Sequence, residues 1–526
     1  VSLVVSWFGT DLRAGNGQIK PGVESTTKTT TPMTWQVNGV TRASAHVVST
    51  VDGGPAYGGT PTDAAVVQAI QELKARGKRV TFYPFILMDI PAANTLPNPY
   101  SPSGTAPGQP VYPWRGRITC APAAGFAGTV DKTAAAASQV ASFFGAAAPG
   151  QFAVSGTTVS FTGSPSDWGL RRMILHYAHL CAAAGGVDAF LIGTEMRGLT
   201  QIRSGASTYP AVTAFVQLAA DVSAILGPGT KVSYAADWSE YHGYQPHGTE
   251  DKVFHLDPLW ASDAIDFIGI DNYMPLSDWR DGDAHLDADH GSIYSIDYLR
   301  SNVAGGEGFD WYYHSPEARA AQIRTPITDA HNEPWIWRYK DLEGWWSNPH
   351  HNRIDGVRVA NPTAWEPRSK PIVFTELGCA AIHRGTNQPN KFVDPKSSES
   401  QFPYHSNGQR DDVIQLQYLR AMHMHFAQSS NNPTSTAYGG PMVDMQRAHV
   451  WAWDARPYPF FPANEALWSD GPNYELGHWL NGRASARSLA SVVAEICTEA
   501  GVGPVDVSRL YGQVRGYAVD RTQTYR

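Results

Sequence analysis

The sequence predicts an α/β fold: a (β/α)₈ TIM barrel with long βα-loop insertions. Three observations carry this reading. Eight short apolar runs are spaced along the chain, most gaps between them hold a segment of helical length and periodicity, and acidic residues recur directly after the apolar runs. Alternating strand and helix signals are the mark of a parallel sheet. Right-handed crossovers then favour a closed barrel or a doubly wound sheet, and no Gly-rich turn follows the first run, which argues against a dinucleotide-binding sheet. A length of 526 residues passes the ~250–300 at which one core usually stops growing, but barrels pass it as single units by carrying long loops.

The elements follow in order. Leu3–Phe8 reads as the first strand and Ala45–Ser49 as a weaker second. Thr62–Arg76 is a helix, with Thr60 or Thr62 as N-cap and Gly77 as the left-handed stop. Arg79–Leu87 is the third strand. An insertion rich in Pro, Gly, Ala and Ser runs over about 91–162. Asp167–Ala184 is an amphipathic helix and Val187–Gly193 the fourth strand. Ala211–Leu226 is a helix halted by Gly227-Pro228. Lys231–Ala235 and Ile265–Ile270 are the fifth and sixth strands. A second insertion covers about 276–365. Pro371–Thr375 is the seventh strand, Asp411–Gln428 a helix, and Ala448–Trp453 the eighth strand. The barrel is expected over 1–487. From 488 to 526 the character changes: Ser488–Ala500 is a helix and the remainder reads as the opening of a further domain.

Composition excludes several classes. Net charge is −8 with no Lys/Arg run, so neither nucleic acid nor an anionic membrane is the expected partner. No apolar stretch approaches the ~20 residues of a membrane span. Val1–Phe8 lacks the basic flank and length of a signal peptide, and without an initiator Met the chain reads as a piece of something longer. Cys120, Cys181, Cys379 and Cys497 form no C-x-x-C pair, which argues against a zinc knuckle. His423 and His425 fall on different helix faces, and His449 reads as a core histidine. Asp281, Asp283, Asp287 and Asp289 fail the EF-hand pattern and read as a solvated loop. No cofactor and no metal are expected. The 17 Trp and 23 Tyr either fill a large core or offer flat faces for sugar rings.

Active sites of such barrels lie at the carboxyl ends of the strands. The residues there are Asp89, Thr194-Glu195, Asp237-Trp238, Asp271-Asn272-Tyr273, Glu376 and Trp453-Asp454, with Trp7 at the end of the first strand. Burying so many acids unpaired is costly; catalysis, metal binding or ion pairs, for instance to Arg197, would account for them. Glu195 and Glu376 each follow an apolar strand that ends in Thr. Across an eight-stranded barrel the two can flank one glycosidic bond, one protonated to donate and the other ionised to attack or to activate water. The other strand-end residues are expected to bind substrate. Glu240, Tyr241 and His242 crowd the same loop as Asp237, and either contact sugar or simply hold the loop. The insertion around His331–Trp335, with Trp337, Trp345 and Trp346, is placed to roof the cleft, and its Glu333 ranks well below Glu195.

A glutamate after the fourth strand and another after the seventh resemble the large clan of retaining (β/α)₈ glycosidases. That resemblance implies Glu195 as acid/base, Glu376 as nucleophile, Tyr273 as a hydrogen-bond donor to the nucleophile and Trp453 as the floor of the sugar site. Thr194 departs from the Asn that usually precedes the acid/base. A narrower resemblance rests on Ser6–Arg13, Ala236–Gly243, Gly269–Ser277 and Phe374–Cys379. These are similar to the TIM-barrel-like domain of gene transfer agent and phage tail baseplate proteins, and Tyr511–Tyr517 is similar to the start of the tail-hub segment that follows it. The resemblance implies a component of a virion or transfer-particle tail that acts at the bacterial envelope on an oligo- or polysaccharide, alongside other tail or baseplate proteins. The alternatives are a glycan-binding module without hydrolysis and a structural tail spacer.

Overall fold

A computed structural model describes residues 1–468, 470–483 and 487–514. Six strands build one parallel sheet: β1 (Ser2–Gly9), β2 (Thr81–Met88), β3 (Ala189–Thr194), β4 (Lys231–Asp237), β5 (Ile268–Asn272) and β6 (Ile372–Leu377). Their order is β6-β5-β4-β3-β2-β1, with Ile19–Lys20 added antiparallel at the β1 edge. Most of these strand residues are buried, as expected for a parallel sheet covered on both faces.

The sheet is curled. Tyr83 and Phe85 of β2, Ala189 and Leu191 of β3, Ala235 of β4, Phe267 before β5 and Val373 of β6 form a single buried cluster, with Val4 of β1 packed against it. Side chains from six strands meet this way only when the sheet wraps around them. Helices cover the outer face and bury their apolar stripes in a second, larger core. They include α1 (Asp63–Ala75), α2 (Ala134–Phe144), α3 (Leu170–Ala183), α4 (Pro210–Leu226) and α5 (Asp412–Phe426). Pro210 opens α4 and Gly227, at φ 76°, ends it. Asp411 caps α5 by accepting from the Ile414 amide at 3.0 Å.

Two expected strands differ. Around the second, His46–Val47 pairs with Gly22–Val23 outside the main sheet; the run is too short and polar-flanked to enter the barrel, so β1 pairs directly with β2. The eighth is reduced to bridges, Ile372 with Val443 and Leu377 with Val450. Even so, segment 443–451 runs beside β6 and reaches across to β2. On the β2 side His449 Nε2 lies 3.1 Å from Thr81 Oγ1, Arg79 donates to the Gln446 carbonyl at 2.8 Å, and Trp451 stacks on Phe85 at 5.8 Å.

Both insertions are structured. The first holds α2 and the hairpin Phe152–Ser155/Thr158–Phe161. In the second, Trp335, Trp345 and Trp365 pack around His350 in a buried aromatic cluster. This corrects the expected roof over the cleft: the tryptophans form the insertion's own core. Near the end, Arg487–Ser488 pairs antiparallel with Gln513–Val514 across helix α6 (Leu489–Glu499), and the Tyr511 ring lies 5.8 Å from Tyr294. The rest of the Tyr511–Tyr517 motif, and all of 515–526, lie outside the described residues.

Candidate active site

Irregularities in the sheet aim the carboxylates. The β3/β4 register shifts between Leu191 and Thr194, and the β5/β6 register shifts between Ile270 and Asp271. Bulges of this kind redirect side chains at barrel rims. Beyond the first shift, Glu195 adopts φ 46°, a left-handed conformation that a residue bearing a Cβ holds only when its surroundings enforce it. β4 supplies that enforcement. The Glu195 amide donates to the Ala235 carbonyl at 2.8 Å and the Met196 amide to the Tyr234 hydroxyl at 2.7 Å.

The result is a trio of acids: one carboxylate oxygen each from Glu195, Asp271 and Glu376 lie within 4.8 Å of one another. Tyr83 stands at their centre, its hydroxyl 2.6 Å from Thr194 Oγ1, 2.9 Å from Glu376 Oε1 and 3.0 Å from Asp271 Oδ2. Tyr273 donates to Glu376 Oε2 at 2.5 Å, and Thr375 to Asp271 Oδ1 at 2.7 Å. Trp114 Nε1 and Arg115 Nη2 both donate to Glu195 Oε2, at 2.7 and 2.8 Å. Arg115 also bonds the Thr194 carbonyl at 3.0 Å and its hydroxyl at 2.8 Å, while its guanidinium lies 3.7 Å above the Phe85 ring.

Three carboxyl groups this close do not all ionise. Burial, then the charges of Glu376 and Glu195, push Asp271 well above the usual carboxylate range. Burial, then Glu195, pushes Glu376 up to about 8. Asp237 rises to about 6 for the same two reasons. The spacing of the trio also suits the oxygen ligands of a divalent cation. Arg115, however, already sets a fixed positive charge against Glu195, and the Tyr83, Tyr273, Thr194 and Thr375 hydroxyls occupy the other two carboxyls.

Above the trio opens a cleft of about 550 Å³, within the size range of ligand pockets. Glu195, Glu376, Asp237, Trp238 and Tyr273 line it, together with Tyr57, Phe85, Tyr112, Trp114, Arg115, Arg197, Lys391, Phe392, Trp451, His478 and Trp479. Thr194 and Asp271 lie directly beneath, fully buried.

Other expected contacts fall elsewhere. Trp7 is 0% exposed and donates to the Tyr177 hydroxyl at 2.8 Å, so it belongs to the core. Asp89 is held by His46 at 2.7 Å and by the Ser49 hydroxyl. Asn272 is buried, with its Oδ1 on the Met274 amide. Trp453 is 66% exposed and faces away from the cleft lining; Trp451, two residues earlier, stands there instead. Asp454 pairs with Arg456 and accepts from Trp479 Nε1 at 3.0 Å. Glu333 pairs with Arg353 and Arg358, and the Arg358 bond leads in pulling it down to about 2. Asp281 pairs with Arg384, and Asp287 with Arg324.

Tyr83, Trp114, Arg115 and Trp451 were not anticipated. For Tyr83 the signal was present: a polar hydroxyl in a strand of otherwise apolar character. Trp114 and Arg115 sit in a long insertion with no periodicity to place them.

A curled parallel sheet with carboxylates gathered at the carboxyl ends of its strands defines a TIM-barrel-like fold. More particularly, the chain belongs to the GTA TIM-barrel-like domain family, whose model matches residues 168–462. The family name points to gene transfer agents. No curated protein matches the chain. Among solved structures it is similar to a GH113 beta-1,4-mannanase in complex form, at 14% identity and TM-score 0.34, over 82% of this chain and 74% of that one. It is also similar to the GH113 beta-mannanase AaManA from Alicyclobacillus acidocaldarius in complex with ManMIm, at 14% identity and TM-score 0.36, over 94% and 86%. No helix of the described residues is long and apolar enough to cross a membrane.

Proposed function

We propose that the chain is a retaining glycoside hydrolase that cleaves a bacterial envelope glycan, a surface polysaccharide or peptidoglycan, as part of a gene transfer agent or phage tail. The observation that carries this reading is the approach of Glu195 and Glu376, whose nearest oxygens lie within 4.8 Å. Retaining enzymes set their two carboxyl groups about 5–5.5 Å apart, while inverting ones leave about 6.5–9.5 Å for a water.

Glu376 attacks the anomeric carbon as the glycosidic bond breaks, and Glu195 gives its proton to the leaving oxygen. Glu195 then takes a proton from water, which opens the glycosyl ester at Glu376 and restores both groups. Trp114 and Arg115 occupy Oε2 of Glu195, leaving Oε1 as the atom that exchanges the proton. Turnover needs the charge on Glu376 and a proton on Glu195, so the proton that the pair shares passes from Glu376 to Oε1 of Glu195 as substrate binds. Asp271, fully buried and pushed well above the usual carboxylate range by burial and then by the charges of Glu376 and Glu195, remains the neutral member of the trio.

The Arg115–Glu195 ion pair favours one second reading: a cleft that holds a glycan without cutting it. Incubation with peptidoglycan and envelope polysaccharides, followed by NMR of the released anomer, separates the readings. Release of product with the substrate's anomeric configuration supports the retaining mechanism; inverted product overturns it, and intact glycan with measurable affinity supports binding alone.

A further inference from the structure

We infer that the cleft selects an anionic saccharide, one that carries a carboxylate or a phosphate, and that Lys391 and Arg197 are the residues that read its charge. This rests on the glycan-cleft reading above and adds to it the chemistry of the substrate.

Three cations line the cleft: Arg115, Arg197 and Lys391. Arg115 is spent on Glu195 and Thr194. Among the described residues neither of the other two forms an ion pair. Arg197 donates to a neutral group, the Ser239 hydroxyl at 3.0 Å, and the nearby carboxylate that feels its charge is Asp237. Lys391 is half-buried, and Glu399 attracts its ammonium without an ion pair among the described residues. The acids on its own loop are already taken, Asp394 by Lys396 and Glu399 by Arg117. Partial burial holds the Lys391 ammonium below its usual range, against the attraction of Glu399.

The placement fits a ligand. Arg197 follows β3 and Lys391 lies on the loop after β6, the two strands that present Glu195 and Glu376. That second loop is anchored: the Ser397 hydroxyl donates to the Tyr112 carbonyl at 2.8 Å and Arg117 pairs with Glu399. Lys391 is therefore held at the wall by its neighbours. Of the acids that line the cleft, Glu195 is paired with Arg115, Asp394 with Lys396 and Glu399 with Arg117, and burial pushes Glu376 up to about 8; Asp237, raised by burial to about 6, stays ionised at neutral pH and feels the charge of Arg197. Aromatic walls accept the apolar face of any sugar. Two cations without ion pairs, one at the start of the short helix after β3 and one on the anchored loop after β6, distinguish an acidic ring from a neutral one, through charge-assisted hydrogen bonds that a hydroxyl matches poorly.

The test uses the whole chain carrying Glu376→Gln, which binds without cleaving. It is applied to an array of bacterial glycans that separates uronate-bearing, phosphorylated and neutral members, and hits are measured by titration calorimetry. The expected result is retention of acidic glycans, from either the uronate or the phosphate arm, with affinity falling as salt rises. Carboxyl reduction or dephosphorylation of the best hit lowers affinity at least tenfold. Adding Lys391→Met or Arg197→Met weakens the acidic form and leaves the neutralised form unchanged, and Lys391→Arg restores the preference. Neutral glycans bound as tightly as acidic ones, equal weakening of both forms by Lys391→Met, or no glycan bound at all overturns the inference. Hydrolysis of a neutral glycan by the wild-type chain overturns the charge reading while sustaining the glycosidase one. Selective acidic binding with no hydrolysis does the reverse.

Discussion

Tyr83 and Glu376, separated by 293 residues in sequence, meet at 2.9 Å at the floor of the cleft. The same hydroxyl reaches Asp271 and Thr194, so one phenol ties together the three strands that bear the acids. It is fully buried among carboxyl groups, and those charges with its burial raise it far above the ordinary tyrosine range. It therefore acts as a fixed hydrogen-bond group and takes no part in proton release.

Tyr83→Phe removes that tie and leaves Asp271 and Glu376 short of a partner. An unsatisfied buried polar group costs about 1–3 kcal/mol. We expect a lowered Tm and a kcat reduced by about tenfold or more, with KM changed less. Unchanged kcat would show that Tyr273 alone orients Glu376.

Glu195→Gln and Glu376→Gln keep shape and remove proton transfer or attack. Loss of general acid–base help is worth about 10²–10⁴-fold. Each variant should therefore lose at least about a hundredfold in kcat/KM on a natural glycan. An aryl glycoside with a good leaving group needs no acid, so it should rescue the glycosylation step in Glu195→Gln and fail to rescue Glu376→Gln. Equal rescue of both would remove the assigned roles.

The pH profile follows from the trio. The active form carries one proton, on Glu195, and leaves Glu376 ionised. Burial followed by the Glu195 charge pushes Glu376 up to about 8, so the pair keeps its last proton to about that pH. The alkaline limb of kcat/KM, which reports the free enzyme, should therefore lie near pH 8, with activity falling as pH rises through it. In Glu195→Gln the activated aryl glycoside needs no acid, so that alkaline limb should vanish and only the acid limb of Glu376 remain. An unchanged alkaline limb in that variant would contradict the coupling.

Much of this arrangement is legible in the sequence, and the rest is hidden for physical reasons. Helices α3, α4 and α5 and the inner strands fall within a few residues of their expected bounds, because apolar periodicity and Pro/Gly/Asp boundaries are local signals. The structure brings Glu195, Asp237, Asp271, Tyr273 and Glu376 together at or beneath the cleft, and their places were legible because carboxyl-terminal strand ends are predictable positions. Arg115 was not, since its place depends on how a 70-residue-scale insertion folds back across β3, which no local pattern encodes. Trp451, and not the expected Trp453, lines the cleft; the last strand is only a pair of bridges, so its end has no sharp sequence mark.

Behind the site, Glu240 supports Tyr234, and Tyr234 supports the turn at Glu195. The Tyr234 hydroxyl lies 3.0 Å from Glu240 Oε1 and accepts from the Met196 amide; the Thr200 hydroxyl donates to the same oxygen at 2.6 Å. Burial pushes Glu240 up to about 8, above the ordinary 4.5. A group raised in the folded state contributes stability that is full below its unfolded value and is lost as pH rises through the folded one. Glu240→Gln has no proton to lose. Its Tm relative to wild type should therefore climb between about pH 5 and 9, with activity at pH 6 nearly retained. Tyr234→Phe orphans the Met196 amide and should lower kcat at every pH. A flat Tm difference for Glu240→Gln would mean that Glu240 is not protonated in the fold.

The aromatic floor offers the sharpest separation between resemblance and structure. Resemblance implies Trp453 as the sugar platform; under the proposed function, position favours Trp451, which stacks on Phe85 at 5.8 Å and lines the cleft, whereas Trp453 is 66% exposed outside it. Base–ring and sugar–ring stacking share the same requirement for a flat face at the ligand, so only a residue in the cleft can supply it. Trp451→Ala should raise KM about tenfold or more, at the scale of one lost aromatic contact of 1–3 kcal/mol, and should also loosen the inner cluster enough to lower Tm. Trp453→Ala should leave KM and kcat within about twofold, as expected for an exposed side chain away from the site. A KM defect in Trp453→Ala with none in Trp451→Ala would return the platform to the position that resemblance gave it.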